Sequence, residues 1–123
     1  MECNLKLLFQ LMLGEYRWRT YTEMNVEAGN FGRGLMEMGL RAKDNIALFS
    51  ETRAEWLIGA NGCMKQSMPV VTLYANLGGD ALVHAINETE VTCVITSQEL
   101  LSKFENILPR TPSVSILVRF LFF

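Results

Sequence analysis

Histidine is all but missing from this 123-residue chain, with His84 the sole imidazole. Cysteine is scarce too: Cys3, Cys63 and Cys93 lie far apart, and no Cys-x-x-Cys pair occurs. A structural zinc site draws about four ligands from closely spaced pairs, so the zinc-finger and zinc-ribbon classes are excluded. Three widely separated thiols form no disulfide framework, and small buried hydrophobes in a reducing compartment are expected instead. Dense runs of Lys or Arg are absent, and 11 basic against 13 acidic residues give a formal net charge of −2. That balance lacks the basic footprint of a nucleic-acid binder. No apolar run reaches the ~20 residues needed to cross a bilayer. Leu5 to Leu13 is apolar but broken by Lys6 and Gln10, Glu2 spoils the positive start of a signal peptide, and no small-x-small cleavage site follows. That stretch reads as a short membrane-touching helix or as an unusual start.

What is present is core material. Half of the residues (50%) are hydrophobic and 20% are charged, which argues against intrinsic disorder and for one domain or part of a larger one. Helical and extended patterns alternate along the chain. Thr20-Tyr21-Thr22-Glu23 has capping-box spacing. Met24, Ala28, Phe31, Leu35 and Met38 then recur at steps of three and four, which predicts one buried helix face. Gly29, Gly32 and Gly34 weaken that helix, and close backbone packing is the expected compensation; Gly39 is placed as its stop. Thr52-Arg53-Ala54-Glu55 has the spacing of a second capping box, with Trp56, Leu57, Ala60, Cys63 and Met64 directed to the core. A third helix follows Gly78-Gly79 and carries Leu82, Val83 and Ile86. A fourth, capped by Ser97, carries Leu100, Leu101 and Phe104 before Pro109 and Pro112 end it. Between the helices, Asn45–Phe49, Pro69–Leu73, Thr92–Thr96 and Val114–Val118 read as short buried strands. Their continuous apolar character suits strands covered on both faces, and the alternation implies crossovers into a mostly parallel, Rossmann-like α/β sheet.

Ligands of open α/β sheets gather at the carboxyl ends of the strands. Those ends carry Ser50-Glu51-Thr52-Arg53, Tyr74-Ala75-Asn76 and Thr96-Ser97. Caps and turn formers explain the same residues, and that reading is preferred. His84 shows no orienting partner, so a packed helix histidine is expected rather than a general base. Among the carboxylates, Glu51, Glu55, Glu88 and Glu90 form no catalytic pair, Glu55 being assigned to a cap and Glu88 to a helix end. Gly32-Arg33-Gly34 lies inside a helix and is no dinucleotide fingerprint. Gly78-Gly79 sits where phosphate could meet a helix N-terminus, but no Lys or Ser/Thr stands close behind it, and Asp80 would repel phosphate. A packing or turn role is expected there.

Specific strings say more than periodicity. Glu51-Thr52-Arg53-Ala54-Glu55-Trp56, Val71-Thr72-Leu73-Tyr74-Ala75-Asn76-Leu77-Gly78-Gly79 and His84-Ala85-Ile86-Asn87-Glu88-Thr89-Glu90-Val91 resemble long-chain fatty acid-CoA ligases of the adenylate-forming superfamily. Gly14-Glu15-Tyr16-Arg17-Trp18 and Ile95-Thr96-Ser97-Gln98-Glu99-Leu100-Leu101 extend the likeness, which runs from Gly14 to Arg110 and is greatest to animal enzymes that favour polyunsaturated and other long acyl chains. It implies part of an adenylate-forming N-terminal domain over 14–110, between an unmatched segment 1–13 and a divergent or truncated tail 111–123. The resemblance also implies ATP-dependent activation of a fatty acid through an acyl-adenylate and transfer to CoA. For the full-length family it implies ATP, Mg2+ and CoA, and work at the cytosolic face of the endoplasmic reticulum, the mitochondrial outer membrane or related membranes. The family's Ser/Thr/Gly-rich loop ending in Pro-Lys-Gly is not in this sequence, nor are its adenine-holding strand, ribose-binding Asp and catalytic lid Lys. No catalytic, cofactor-binding or metal-binding residue is therefore assigned, and no cofactor is expected for this chain.

Three readings follow. The first is a piece of such a ligase, inactive alone. The second is a non-catalytic interaction module or truncated isoform that binds the full-length enzyme or a membrane surface, or self-associates through an uncovered sheet edge. Last comes an unrelated nucleotide-binding protein of flavodoxin type. Nucleic acid is not an expected partner under any of them.

Overall fold

The computed structural model describes residues 14–120. The apolar stretch Leu5 to Leu13, Cys3 and the terminal Leu121-Phe122-Phe123 lie outside them. Strands β1 (Ile46–Phe49), β2 (Val70–Leu73), β3 (Cys93–Thr96) and β4 (Ile116–Arg119) alternate with helices α1 (Tyr21–Glu37), α2 (Ala54–Lys65), α3 (Gly79–Glu88) and α4 (Leu101–Glu105). A 3-10 turn at Leu108–Arg110 precedes β4. All pairings are parallel, in the order β2-β1-β3-β4, with Ile46 beside Val70 and Cys93, and Cys93 beside Ile116. The α/β class read from the sequence is the class observed. No described helix is long and apolar enough to cross a membrane.

The sheet order reverses direction at β1, since the chain steps one way to β2 and then back across to β3. Right-handed crossovers of opposite direction put successive helices on opposite faces. Strand alternation divides the side chains accordingly. Ile46, Leu48, Cys93 and Ile95 share one core with Leu35, Leu40, Ala60 and Cys63, on the side of α1 and α2. Ala47, Phe49 and Val94 share the other with Leu82, Ile86 and Phe104. There the Phe49 and Phe104 rings meet edge to face at 5.3 Å. Central β1 and β3 are buried along their whole length, whereas the edge strands β2 and β4 are mostly half-buried.

Helix α1 begins at the predicted box. The Glu23 amide donates to Thr20 Oγ1 at 3.1 Å, and the Thr20 amide donates back to the Glu23 carboxylate at 2.7 Å. Its end is a Schellman motif: Leu40 N–H donates to Leu35 O at 3.2 Å and Gly39 N–H to Met36 O at 3.0 Å, with Gly39 at φ 97°. The same pair of bonds ends α2 (Met68 to Cys63, Ser67 to Met64) and α3 (Val91 to Ile86, Glu90 to Asn87). In these two the left-handed seat holds Ser67 (φ 57°) and Glu90 (φ 49°) rather than glycine. Each motif also buries a hydrophobe just past the helix, Leu40, Met68 or Val91, which fixes where the following strand enters the core.

Several expectations need correction. Of the α1 stripe, Ala28 and Leu35 are buried and Phe31 half-buried, but Met38 is exposed because the helix has ended before it. Close packing explains Gly32 alone: a Cβ there would stand 2.5 Å from the Gly62 carbonyl oxygen, whereas Gly34 has nothing within 4 Å and Gly29 only the end of Arg33. Gly62 answers from α2, where a Cβ would stand 2.8 Å from Ala28 O. This glycine contact presents Gly59, Ala60, Gly62 and Cys63 of α2 inward, and so turns Leu57 and Met64 out to solvent, against expectation. The second capping box does not form. Helix α2 starts one residue late, so Arg53 takes the cap position with no side-chain cap, and Glu55 binds Arg53 instead. Ser97 likewise caps nothing, since Leu100 precedes α4 and the Ser97 hydroxyl is buried without a hydrogen-bond partner.

Candidate functional site

The carboxyl ends of β1 and β2 open into a cleft of about 450 Å3. Ser50, Glu51 and Thr52 form one wall and Tyr74, Ala75 and Asn76 the other, with Trp56 of α2 between them. Two of the three polar sets expected at strand ends are thus brought together. The third is not: Thr96 and Ser97 are fully buried, and both hydroxyls lack a hydrogen-bond partner. Thr96 contributes through its backbone, where its carbonyl accepts from Phe120 N–H at 2.9 Å and extends the β3–β4 pairing.

Second-layer contacts set the shape of the cleft. The Lys103 ammonium of α4 donates to Ala75 O at 2.8 Å and lies 5.6 Å from the centre of the Phe49 ring. That bond ties the loop after β2 to the far face of the sheet. Arg53, beside the β1 end, is held by Glu55 at 3.1 Å and Glu99 at 3.9 Å, and its guanidinium lies 5.9 Å over the Phe120 ring. On the edge strand Arg119 donates to the Gln98 side chain. The cleft lining has one acidic side chain, Glu51, and no Lys or Arg. Its chemistry is that of hydroxyl, amide and aromatic groups around a carboxylate.

Other residues weighed from the sequence lie away from this cleft. His84 is exposed on α3, not packed, because Leu82, Val83 and Ile86 take the inward positions of that helix. Glu88 and Glu90 are exposed as well. Gly78 precedes α3 at φ −73° with nothing within 4 Å, and Gly79 is 3.8 Å from Ile107, so neither position is closely packed. Asp80, in the first turn of α3, pairs with Arg110 at 2.9 Å. Cys63 and Cys93 sit in the α1/α2 core, where burial pushes their thiols up to about 11 and about 12 respectively. Among the described residues no three His, Cys, Asp or Glu side chains are grouped as a metal site. Trp56 is half-buried against the α1/α2 core, as expected, and lines the cleft as well. Lys103 stands outside the lining and was not foreseen, because it lies 28 positions from the carbonyl it binds, a distance no local pattern spans.

The family model for "AMP-binding enzyme" matches residues 5–122. Long chain acyl-CoA synthetase 8 of Arabidopsis thaliana is 45% identical over 98 residues, covering 80% of this chain and 14% of that protein. Long-chain-fatty-acid-CoA ligase 4 of Saccharomyces cerevisiae is 33% identical over 108 residues, 86% of this chain and 16% of that one. The chain therefore spans about one-seventh of the length of these curated relatives. Among solved structures, an anthranilate CoA ligase in complex with anthranoyl-AMP superposes with a TM-score of 0.81 at 23% identity, over 85% of this chain and 20% of that one. The A-PCP didomain of a carboxylic acid reductase from Segniliparus rugosus superposes at 0.82 and 21% identity, over 88% and 16%. At those identities the superpositions speak for the fold.

Proposed function

The chain belongs to the AMP-binding enzyme family, and from that premise we propose that it builds a scaffold layer in the N-terminal domain of a long-chain fatty acid-CoA ligase. That reaction joins a fatty carboxylate to the AMP moiety of ATP with release of pyrophosphate, then passes the acyl group to the thiol of CoA with release of AMP and the thiol proton. The observation that carries this reading is the 45% identity to a plant long-chain acyl-CoA synthetase over most of this chain.

The polypeptide alone is inactive in this proposal. Adenylation needs amides, cations and Mg2+ arranged around the transferring phosphates. The residues of the carboxyl-edge cleft do not fit that group. Their charged member is the Glu51 carboxylate, the neighbouring Arg53 is held by Glu55 and Glu99, and the α3 N-terminus already carries Asp80. No step of the reaction is assigned to this chain's side chains. Its contribution is the parallel sheet, whose register sets where the β1 and β2 loops stand.

A chimera tests the ligase reading. The matching stretch of the Arabidopsis relative is replaced by this chain's residues, and oleoyl-CoA formation is measured with ATP and CoA. Activity within roughly tenfold of the parent, about 1.4 kcal/mol in transition-state stabilisation, is expected for a compatible scaffold. A soluble, folded chimera with background activity would refute the reading.

A further inference from the structure

Several side chains of the carboxyl-edge cleft are chemically uncommitted. Glu51, Thr52, Thr72 and Asn76 line it and are exposed, and their side chains make no hydrogen bond or ion pair among the described residues. Ser50 differs, since its hydroxyl donates to Glu51 O at 3.1 Å. Two rings stand with them: Trp56 is half-buried and Tyr74 is 79% exposed. The cations beside the walls are engaged elsewhere. Arg53 is held by Glu55 and Glu99, and the Lys103 ammonium donates to Ala75 O at 2.8 Å. Glu51 is therefore a carboxylate with no counter-ion among the described residues, in a hollow of about 450 Å3 that also presents aromatic rings, threonine hydroxyls and an amide.

These groups select a ligand class. An anion meets Glu51 and finds no cation in the lining. A bare metal ion finds one carboxylate, since no three His, Cys, Asp or Glu side chains are grouped among the described residues. A neutral hydrocarbon covers the rings and leaves the polar groups wet. An organic ammonium ion that bears a hydroxyl uses all of them. Its charge pairs with the carboxylate, its methyl groups lie against ring faces, and its hydroxyl meets threonine or asparagine. The volume is within the range of clefts that hold small molecules. We propose that the cleft binds a small methylated ammonium ion carrying a hydroxyl, its charged head between Glu51, Trp56 and Tyr74 and its hydroxyl toward Thr52, Thr72 and Asn76. The same head group occurs on phospholipids, but there the hydroxyl is esterified to a phosphate, an anion for which the lining offers no cation. The charge of the cleft thus favours the free ion. These side chains take no part in the scaffold role, so failure of the site would leave the ligase reading intact.

The test is an NMR titration of the full 123-residue chain with choline, following the indole N–H signals of Trp56 and Trp18. Saturable movement of the Trp56 signal at roughly millimolar choline is expected. Trp18 lies outside the cleft lining and serves as the internal control. The neutral isostere, with a tert-butyl group in place of trimethylammonium, should bind roughly tenfold more weakly, and so should choline to Glu51→Gln. Tyr74→Ser should weaken binding roughly threefold. Both positions are exposed, and circular dichroism verifies the fold of each variant. Phosphocholine should bind more weakly than choline. The proposal is overturned if the Trp56 signal does not saturate, if Trp18 moves in parallel with it, or if Glu51→Gln binds choline as tightly as the parent. It is equally overturned if the neutral isostere matches choline, if galactose saturates and choline does not, or if association is seen only with phosphatidylcholine vesicles.

Discussion

Replacing Gly32 with alanine and replacing Gly34 with alanine are the same chemical change two residues apart in one helix, and the structure gives them opposite signs. Both gain helix propensity, about 1 kcal/mol for Gly to Ala in a helix interior. At Gly34 nothing lies within 4 Å of the added methyl, so the gain stands. At Gly32 the methyl would sit 2.5 Å from the Gly62 carbonyl oxygen and 3.2 Å from its carbon. Backbone cannot swing aside as a side chain can, so α1 and α2 must part by most of an ångström. That loosens the packing of Phe31, Leu35, Ala60 and Cys63 between the helices and the sheet. Overpacking of this kind costs about 1–3 kcal/mol, and a backbone clash belongs at the upper end, which leaves a net loss of about 2 kcal/mol for Gly32→Ala. The assay is urea unfolding followed by far-UV circular dichroism. A loss of that size also lowers the thermal midpoint by about 4–8 °C per kcal/mol. Equal shifts of the two variants in the same direction would refute the helix-crossing argument.

Other consequences concern caps, thiols and the left-handed seats. Thr20→Ala should cost about 1 kcal/mol through loss of the α1 cap, measured by the same unfolding assay. The backbone and side chain of Thr20 hold the Glu23 carboxyl below its ordinary value of 4.5. Stability from that group is complete above 4.5 and is lost as pH falls through the lower folded-state value, so Glu23→Gln should flatten the acid limb of the stability profile. If the parent and Glu23→Gln lose stability identically on acidification, the box is not formed in solution. Cys63 and Cys93, buried with raised thiol values, should resist iodoacetamide at pH about 8 until the chain unfolds. Rapid native-state labelling at either, read by peptide mass spectrometry, would contradict their placement. Glu90→Gly should stabilise the chain by about 0.5–1 kcal/mol by relieving a non-glycine residue at φ 49°, and Gly39→Ala should destabilise it by about 1–2 kcal/mol.

Much of the fold was legible because local signals and core requirements agreed. Ile46 to Phe49 and Cys93 to Thr96 read as buried strands because central strands of a parallel sheet are covered on both faces. Gly39 marked a stop because glycine is the usual occupant of the left-handed seat. Ser67 and Glu90 fill the same seat unannounced, since polar residues also sit in ordinary turns. Less visible was the orientation of α2. Leu57 and Met64 look like core residues on a helical wheel, but the demand of Gly32 for a close partner turns Gly62 inward and those two outward. That is a tertiary constraint with no local trace. The cleft was half legible: the strand-end rule located Ser50 to Thr52 and Tyr74 to Asn76, but gave no reason to leave Thr96 and Ser97 buried. His84 was misassigned because one imidazole among apolar neighbours carries no phase information until the helix register is known.

In the proposed role the sheet is a scaffold, and the cleft at its carboxyl edge is lined by Glu51 with no Lys or Arg to cradle a triphosphate. Titration of Mg·ATP into the folded 123-residue chain, followed by calorimetry, tests it most directly. A featureless dilution heat is predicted; a saturable isotherm would contradict the account.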